Sequence, residues 1–253
     1  MASVLSVSLP LLAETPEEKG LAIAVEADKR NIGFIDTTAD MKMILRNRAG
    51  KESLRRMRSR VLEVQGDGDK SLTIFDDPKD VKGTASLTFS HSIKPDEQWL
   101  YLPALKRVKR ISSKNKSGPF MGSEFAFEDI ASQEVDKYTY KYLRDETVDG
   151  REAFVVEAYP TYKNSGYTRV INWIDKEEYY GLKVEYYDRK NALLKTLTMS
   201  GYQKYLDKYW RSSQMDMQNA QTGKSTTLSW ENYKFQTGLT SSDFNSKTLK
   251  RLR

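Results

Sequence analysis

Glu124, Glu128 and Asp129 form the compact carboxylate group of this chain that lies outside turns. Two carboxyl groups at the right separation can act as general acid and nucleophile on a glycosidic bond. These three flank an apolar loop, and no Asn, His or Arg is arranged beside them for a substrate. Capping or salt-bridging near a short helix is the simpler use for them. The single histidine, His91, sits in the turn-like stretch Ser90-His91-Ser92 and reads as a surface residue, with no second histidine to complete a metal pair. Cysteine is absent, which removes disulfides, thiolate nucleophiles, zinc–thiolate sites and lipid attachment through an N-terminal Cys. No phosphate-cradling glycine loop follows a strand, and no nucleophilic serine elbow occurs. The sequence therefore assigns no catalytic residue, no metal ligand and no cofactor, and the chain reads as a binding protein rather than an enzyme.

What the residues do offer is apolar surface. Trp99-Leu100-Tyr101-Leu102-Pro103-Ala104-Leu105 reads as an apolar strand that runs into the basic run Lys106, Arg107, Lys109 and Arg110 and then the loop from Gly118 to Ile130. A strand that is apolar on both faces must be covered on both, by core on one side and by a lid, ligand or partner on the other. Phe120, Met121, Phe125 and Phe127 place four large apolar side chains where glycines ordinarily mark surface, the pattern of a mobile cover over a greasy cavity. Period-two apolar positions extend the candidate lining to Met41, Met43, Leu45, Leu87, Phe89, Trp99, Tyr101 and Leu102. Which parity faces inward stays open, because a one-residue slip exchanges the two faces of a strand.

The elements that must position these residues are mostly strands. Pro16 to Thr37 is predicted as a helix, capped by Thr15 and started by Pro16, with Glu17 and Glu18 at its positive end. From Asp40 the period becomes two, with strands expected at 41–46, 53–65, 70–75, 83–89, 98–111, 138–145, 153–160, 167–175, 181–187, 193–202, 209–219 and 226–233. Asp149-Gly150, Lys190-Asn191 and Thr222-Gly223 supply the tight turns. A short helix is expected after the glycine loop, and a capped turn with a closing strand at the C-terminus. A dozen hairpin-linked strands describe an antiparallel meander curled into a full or partial barrel.

The net charge of +6 is local: Lys42 to Arg60 and Lys106 to Lys116 carry the excess. It favours an anionic surface such as phosphate-bearing lipid, or an acidic partner, although a solvated strand face would look the same. The tyrosines fall in pairs and alternations that β-propensity explains, so nucleic acid is not expected as a partner. Residues 1–13, with Val4 to Ala13 short and apolar before the acidic Glu14, read as the remnant of an export signal, leaving 14–253 as one domain.

The stretch Trp99 to Ile111, the segment Phe120-Met121-Gly122-Ser123-Glu124-Phe125 with Glu128-Asp129-Ile130, Gly83-Thr84, Lys183 to Asp188 and the closing Phe244 together resemble the LolA-like outer-membrane lipoprotein-sorting proteins, in the branch associated with RND/MMPL-type exporters. The resemblance covers roughly residues 36–253. It implies a mainly β fold: a curved antiparallel sheet forming an incomplete barrel, plugged by helices and enclosing an apolar cavity for acyl chains. It implies a carrier without turnover, with an RND-type exporter as a candidate partner. The basic run Lys106, Arg107, Lys109 and Arg110 is itself expected to contact either a transient anionic membrane surface or an acidic periplasmic face of the exporter, and the carrier is expected to be periplasmic and monomeric. The family's carrier has a cavity arginine, for which Arg55, Arg56 and Arg58 are the candidates. Cargo is open between lipoprotein acyl chains and another lipid. The alternatives are an exporter accessory that carries nothing and an envelope hydrolase using the three acids.

Overall fold

The structure, a computed structural model, describes residues 13–251. The export segment expected over residues 1–13 lies outside them except for Ala13. Helix α1 (Pro16–Asn31) is started by a reciprocal cap: the Glu18 amide donates to Thr15 Oγ1 at 3.1 Å, and the Thr15 amide donates to Glu18 Oε2 at 2.8 Å. The helix is shorter than its periodicity predicts. Gly33 and Ile35 take left-handed φ of +99° and +70°, which turns the chain into the first strand by Asp36.

The strands are β1 (Asp36–Arg46), β2 (Glu52–Leu62), β3 (Lys70–Asp77), β4 (Ala85–Phe89), β5 (Glu97–Leu102), β6 (Arg107–Ile111), β7 (Tyr138–Val148), β8 (Arg151–Pro160), β9 (Tyr167–Asp175), β10 (Gly181–Asp188), β11 (Leu193–Ser200), β12 (Gln203–Tyr205), β13 (Tyr209–Arg211), β14 (Gln214–Asn219) and β15 (Ser225–Phe235). Thirteen form one antiparallel sheet in the order β6-β5-β4-β3-β2-β1-β15-β14-β11-β10-β9-β8-β7, and β12 with β13 makes a separate hairpin. The strand expected over 98–111 is two: Pro103–Leu105 forms a 3-10 turn and Lys106 takes φ of 48°, folding β6 back on β5. The strand expected over 209–219 is likewise divided between β13 and β14. In place of a closing C-terminal strand there are 3-10 turns at Ser241–Asp243 and Leu249–Arg251.

The pairing of β1 with β15 joins the two ends of the meander, so the unpaired edges are β6 and β7, which are adjacent in sequence. Residues 112–137, including helix α2 (Phe127–Ile130), must carry the chain from one open edge to the other. A curved sheet offers that crossover its concave side, where an apolar segment can be buried on all sides. Among the described residues, no helix is long and apolar enough to cross a membrane.

Candidate functional site

The concave side of the sheet is lined with methionine. Met41 and Met43 from β1, Met57 from β2, Met199 from β11, Met215 and Met217 from β14, and Met121 from the crossover all belong to one apolar cluster. They are every methionine of the chain except Met1, which lies outside the described residues. Methionine is unbranched and polarizable, so a surface built of it can repack around differing apolar shapes.

The crossover fills this surface. Phe120, Phe125 and Phe127 are 2%, 3% and 9% exposed, so they are core rather than the exposed cover their glycine-rich setting predicts. Phe120 stands edge-on to Phe127 with centroids 5.5 Å apart and lies 6.2 Å from Phe75 of β3. The three acids hold this plug in place. Asp129 accepts from Lys195 Nζ at 2.6 Å, from the Tyr167 hydroxyl at 2.7 Å and from the Ala126 amide at 2.6 Å. Lys195 and Asp129 are each only 4% exposed, and Lys195 also donates to the Glu124 carbonyl at 2.8 Å. Glu128 accepts from the Gly166 amide at 2.7 Å and from Ser165 at 3.0 Å, and burial raises its pKa against the pull of the Gly166 bond. Glu124 accepts from Asn219 at 2.6 Å. With these oxygens committed to backbone amides, Lys195, Asn219 and the Tyr167 and Ser165 hydroxyls, the acids serve as caps and ties.

The three arginine candidates differ in their partners. Arg56 and Arg58 pair with Asp77 and Asp76, whereas the Arg55 guanidinium donates to the Met121 carbonyl of the plug. Burial lowers the Arg55 pKa, with Asp80 opposing.

A second interior space lies beside the first. A cavity of about 1150 Å³, partly open to solvent, is lined by the inner side of α1 (Ala24, Ala27, Asp28), by Val156, Asn172 and Ile174 on β8 and β9, by the β2–β3 turn, by residues 132–136 and by the β12–β13 hairpin. On β9 the inward face runs from Val170 in the apolar cluster to Asn172 and Ile174 in the cavity, two and four residues on, so the two spaces adjoin. The cavity wall is acidic where Asp28, Asp69 and Glu134 meet. Burial raises the pKa of each, that of Asp69 to about 7, with Glu134 and Glu63 adding to the effect and the Val64 amide opposing it. Its roof is tied by polar contacts: Lys208 donates to the Ile32 carbonyl at 2.7 Å, Arg211 to Asn31 at 2.7 Å and Arg30 to the Glu177 carbonyl at 2.6 Å.

This fold and arrangement have known counterparts. A family model described as an uncharacterized protein matches residues 67–251. A domain from Vibrio parahaemolyticus, described as an outer membrane lipoprotein-sorting protein, is 60% identical with a TM-score of 0.91, over 93% of this chain and 100% of that one. The chain belongs to the outer membrane lipoprotein-sorting protein family. A DUF1329 family protein from Desulfovibrio piger is 32% identical with a TM-score of 0.88, over 93% of this chain and 99% of that one. A LolA superfamily protein from Nitrosomonas europaea shares the fold at 21% identity with a TM-score of 0.71, over 89% and 97% of the two chains. No curated protein matches the chain.

In this chain, alternation divides the residues singled out from sequence. Met41, Met43, Leu45, Leu102, Phe120, Met121, Phe125 and Phe127 come together in the concave cluster. Leu87, Phe89, Trp99 and Tyr101 lie on the opposite, outer face, packed under Leu239, Phe244 and Leu249 of the C-terminal segment. β5 is therefore apolar on both faces because one meets the plug and the other the C-terminus. None of the twelve lines the cavity under α1. Lys106, Arg107, Lys109 and Arg110 lie exposed on β6 and the turn before it. His91, expected at the surface, is largely covered, with Nδ1 2.7 Å from Asp67, and this contact holds the Asp67 carboxyl far below its ordinary range. The cavity residues share no local signal, because segments far apart in the sequence supply them. The one available signal was the acid-rich turn Gly66-Asp67-Gly68-Asp69, which reads from sequence as a hairpin turn alone.

Proposed function

We propose that this chain is a lipid carrier of the cell envelope, acting in the periplasm, and that residues 14–253 work as one lipid-binding domain. Acyl chains of a lipoprotein or another lipid take the place of Phe120, Phe125 and Phe127 against the methionine-lined concave face. The adjoining cavity under α1, with its acidic wall, receives the part of the cargo nearest the headgroup. The observation that carries this reading is the convergence of six methionines of the sheet beneath an apolar crossover, itself carrying Met121, that reaches the core from between two open sheet edges. Each methylene moved out of water contributes about 0.8 kcal/mol, so a chain of a dozen offsets the cost of displacing three phenylalanines, each worth about 1.5–3 kcal/mol. A carrier also needs a surface that meets donor or acceptor, and the exposed β6 edge is the one we assign to it.

Native mass spectrometry of the purified protein with a fluorescent fatty acid tests the reading. Leu102→Asp, facing the interior, is expected to abolish uptake, because an unpaired buried carboxylate costs several kcal/mol. Tyr101→Asp, on the outer face, is expected to leave uptake in the folded fraction intact. Equal uptake by both variants and the parent chain would reject the interior as the acyl site.

A further inference from the structure

We infer that the β5–β6 edge and the C-terminal turn together form a docking surface for an anionic lipid bilayer. The inference extends the carrier reading, since a carrier must reach a membrane to exchange cargo. β6 is the last strand on its side of the sheet, and residues 104–110 are all exposed. Lys106, Arg107, Lys109 and Arg110 have one ion pair among the described residues, Arg110 with Glu97 at 2.6 Å. The C-terminal turn Leu249–Arg251 packs beside β6, with Leu249 buried on the outer face that Val108 and Arg110 share with Trp99 and Tyr101, while Arg107 and Lys109 lie on the other face of this edge strand, so with the exposed Lys250 and Arg251 the edge is basic along both faces. Two stretches far apart in sequence thus bring cations to one edge of the sheet.

Leu105, 63% exposed at the hairpin tip, and Val108, 36% exposed, stand among these cations. Cations on an edge strand also block edge-to-edge pairing, but that role needs neither an apolar tip nor a second basic turn. A protein interface buries a contiguous apolar centre and is poor in lysine. Here the apolar side chains are two and separated, and long cations dominate. Scattered cations with one apolar side chain able to enter the headgroup layer match the charge and layering of an anionic bilayer.

Flotation of the full chain with phosphatidylglycerol/phosphatidylethanolamine vesicles, against pure phosphatidylcholine vesicles, tests this. Binding is expected to be at least about tenfold stronger to the anionic vesicles and to vanish at roughly 0.5 M salt. Lys106→Glu with Arg107→Glu and Lys109→Glu should remove it, and Leu105→Asn should weaken it severalfold at unchanged charge, both in protein with the parent's circular dichroism spectrum. Uptake of a soluble fluorescent fatty acid, measured in parallel, reads the interior alone: its absence from the parent chain would end the carrier reading, while flotation decides docking independently. Equal binding to both vesicle types, or a triple variant that floats like the parent, overturns the inference. Binding to soluble polyglutamate but not to vesicles also overturns it and gives the patch to an acidic protein.

Discussion

The half-barrel contains two spaces side by side, one apolar and filled from within, the other of mixed lining with an acidic wall and roofed from outside. On the concave face, methionines are covered by phenylalanines of the chain's own crossover, held by a buried Lys195–Asp129 pair. Under α1, Asp28, Asp69 and Glu134 share a wall behind a roof tied by Lys208, Arg211 and Arg30. The difference teaches a division of labour. An adaptable apolar surface suits chains of varied length, and it stays out of water as long as a tethered segment covers it. A space with an acidic wall beside it suits the end of the cargo that an apolar core would exclude.

The largest effect should come from breaking the plug's anchor. Asp129→Ala leaves Lys195 buried without its partner and is expected to destabilise by about 3–5 kcal/mol in urea unfolding, most of which a second change, Lys195→Met, should restore. Phe127→Ala tests the plug itself: a loss of about 3 kcal/mol is expected, together with tighter binding of fatty acid, because part of the internal competitor is gone. A loss of stability with weaker binding would instead make Phe127 part of the ligand surface.

The acid-walled space should reveal itself through pH. The folded-state pKa of Asp69, raised to about 7 by burial, lies above its unfolded value. Its contribution to stability is therefore full below the unfolded pKa, and it is lost as pH rises through 7. Stability should rise by about 2 kcal/mol from pH 8 to pH 5, and Asp69→Asn should flatten that slope and raise stability at pH 8. A slope unchanged by the substitution would place the titrating group elsewhere. The smallest effect concerns the roof. A Cβ on Gly20 would lie 2.7 Å from the Tyr142 backbone nitrogen, so Gly20→Ala should lift α1 from β7 at a cost of about 1–2 kcal/mol and speed hydrogen exchange in α1.

Much of this fold is legible in the sequence, because hairpin turns and period-two alternation are local signals. The strands at 167–175 and 181–187 match β9 and β10 closely for that reason. The break at Pro103 to Lys106 was hidden because a proline after an apolar run fits a strand end as well as a 3-10 turn, and the left-handed Lys106 has no glycine to announce it. The inward parity of β5 was not legible because both faces are apolar, each covered by a segment distant in sequence. The crossover reads as a mobile cover because Gly118 and Gly122 signal surface. Its burial comes from tertiary contacts with Arg55, Gln98, Lys195 and Asn219 that no local pattern records. The cavity under α1 is equally nonlocal.

The central claim is that acyl chains occupy the methionine-lined interior. Methyl-13C labelling of methionine reads that surface directly, since Met41, Met43, Met57, Met121, Met199, Met215 and Met217 all belong to it. Titrating the labelled protein with a fatty acid is expected to shift most of these methyl resonances while the phenylalanine plug moves aside. Saturable binding of the fatty acid that leaves the seven methyl resonances unmoved would contradict the claim and place the cargo in the cavity under α1 alone.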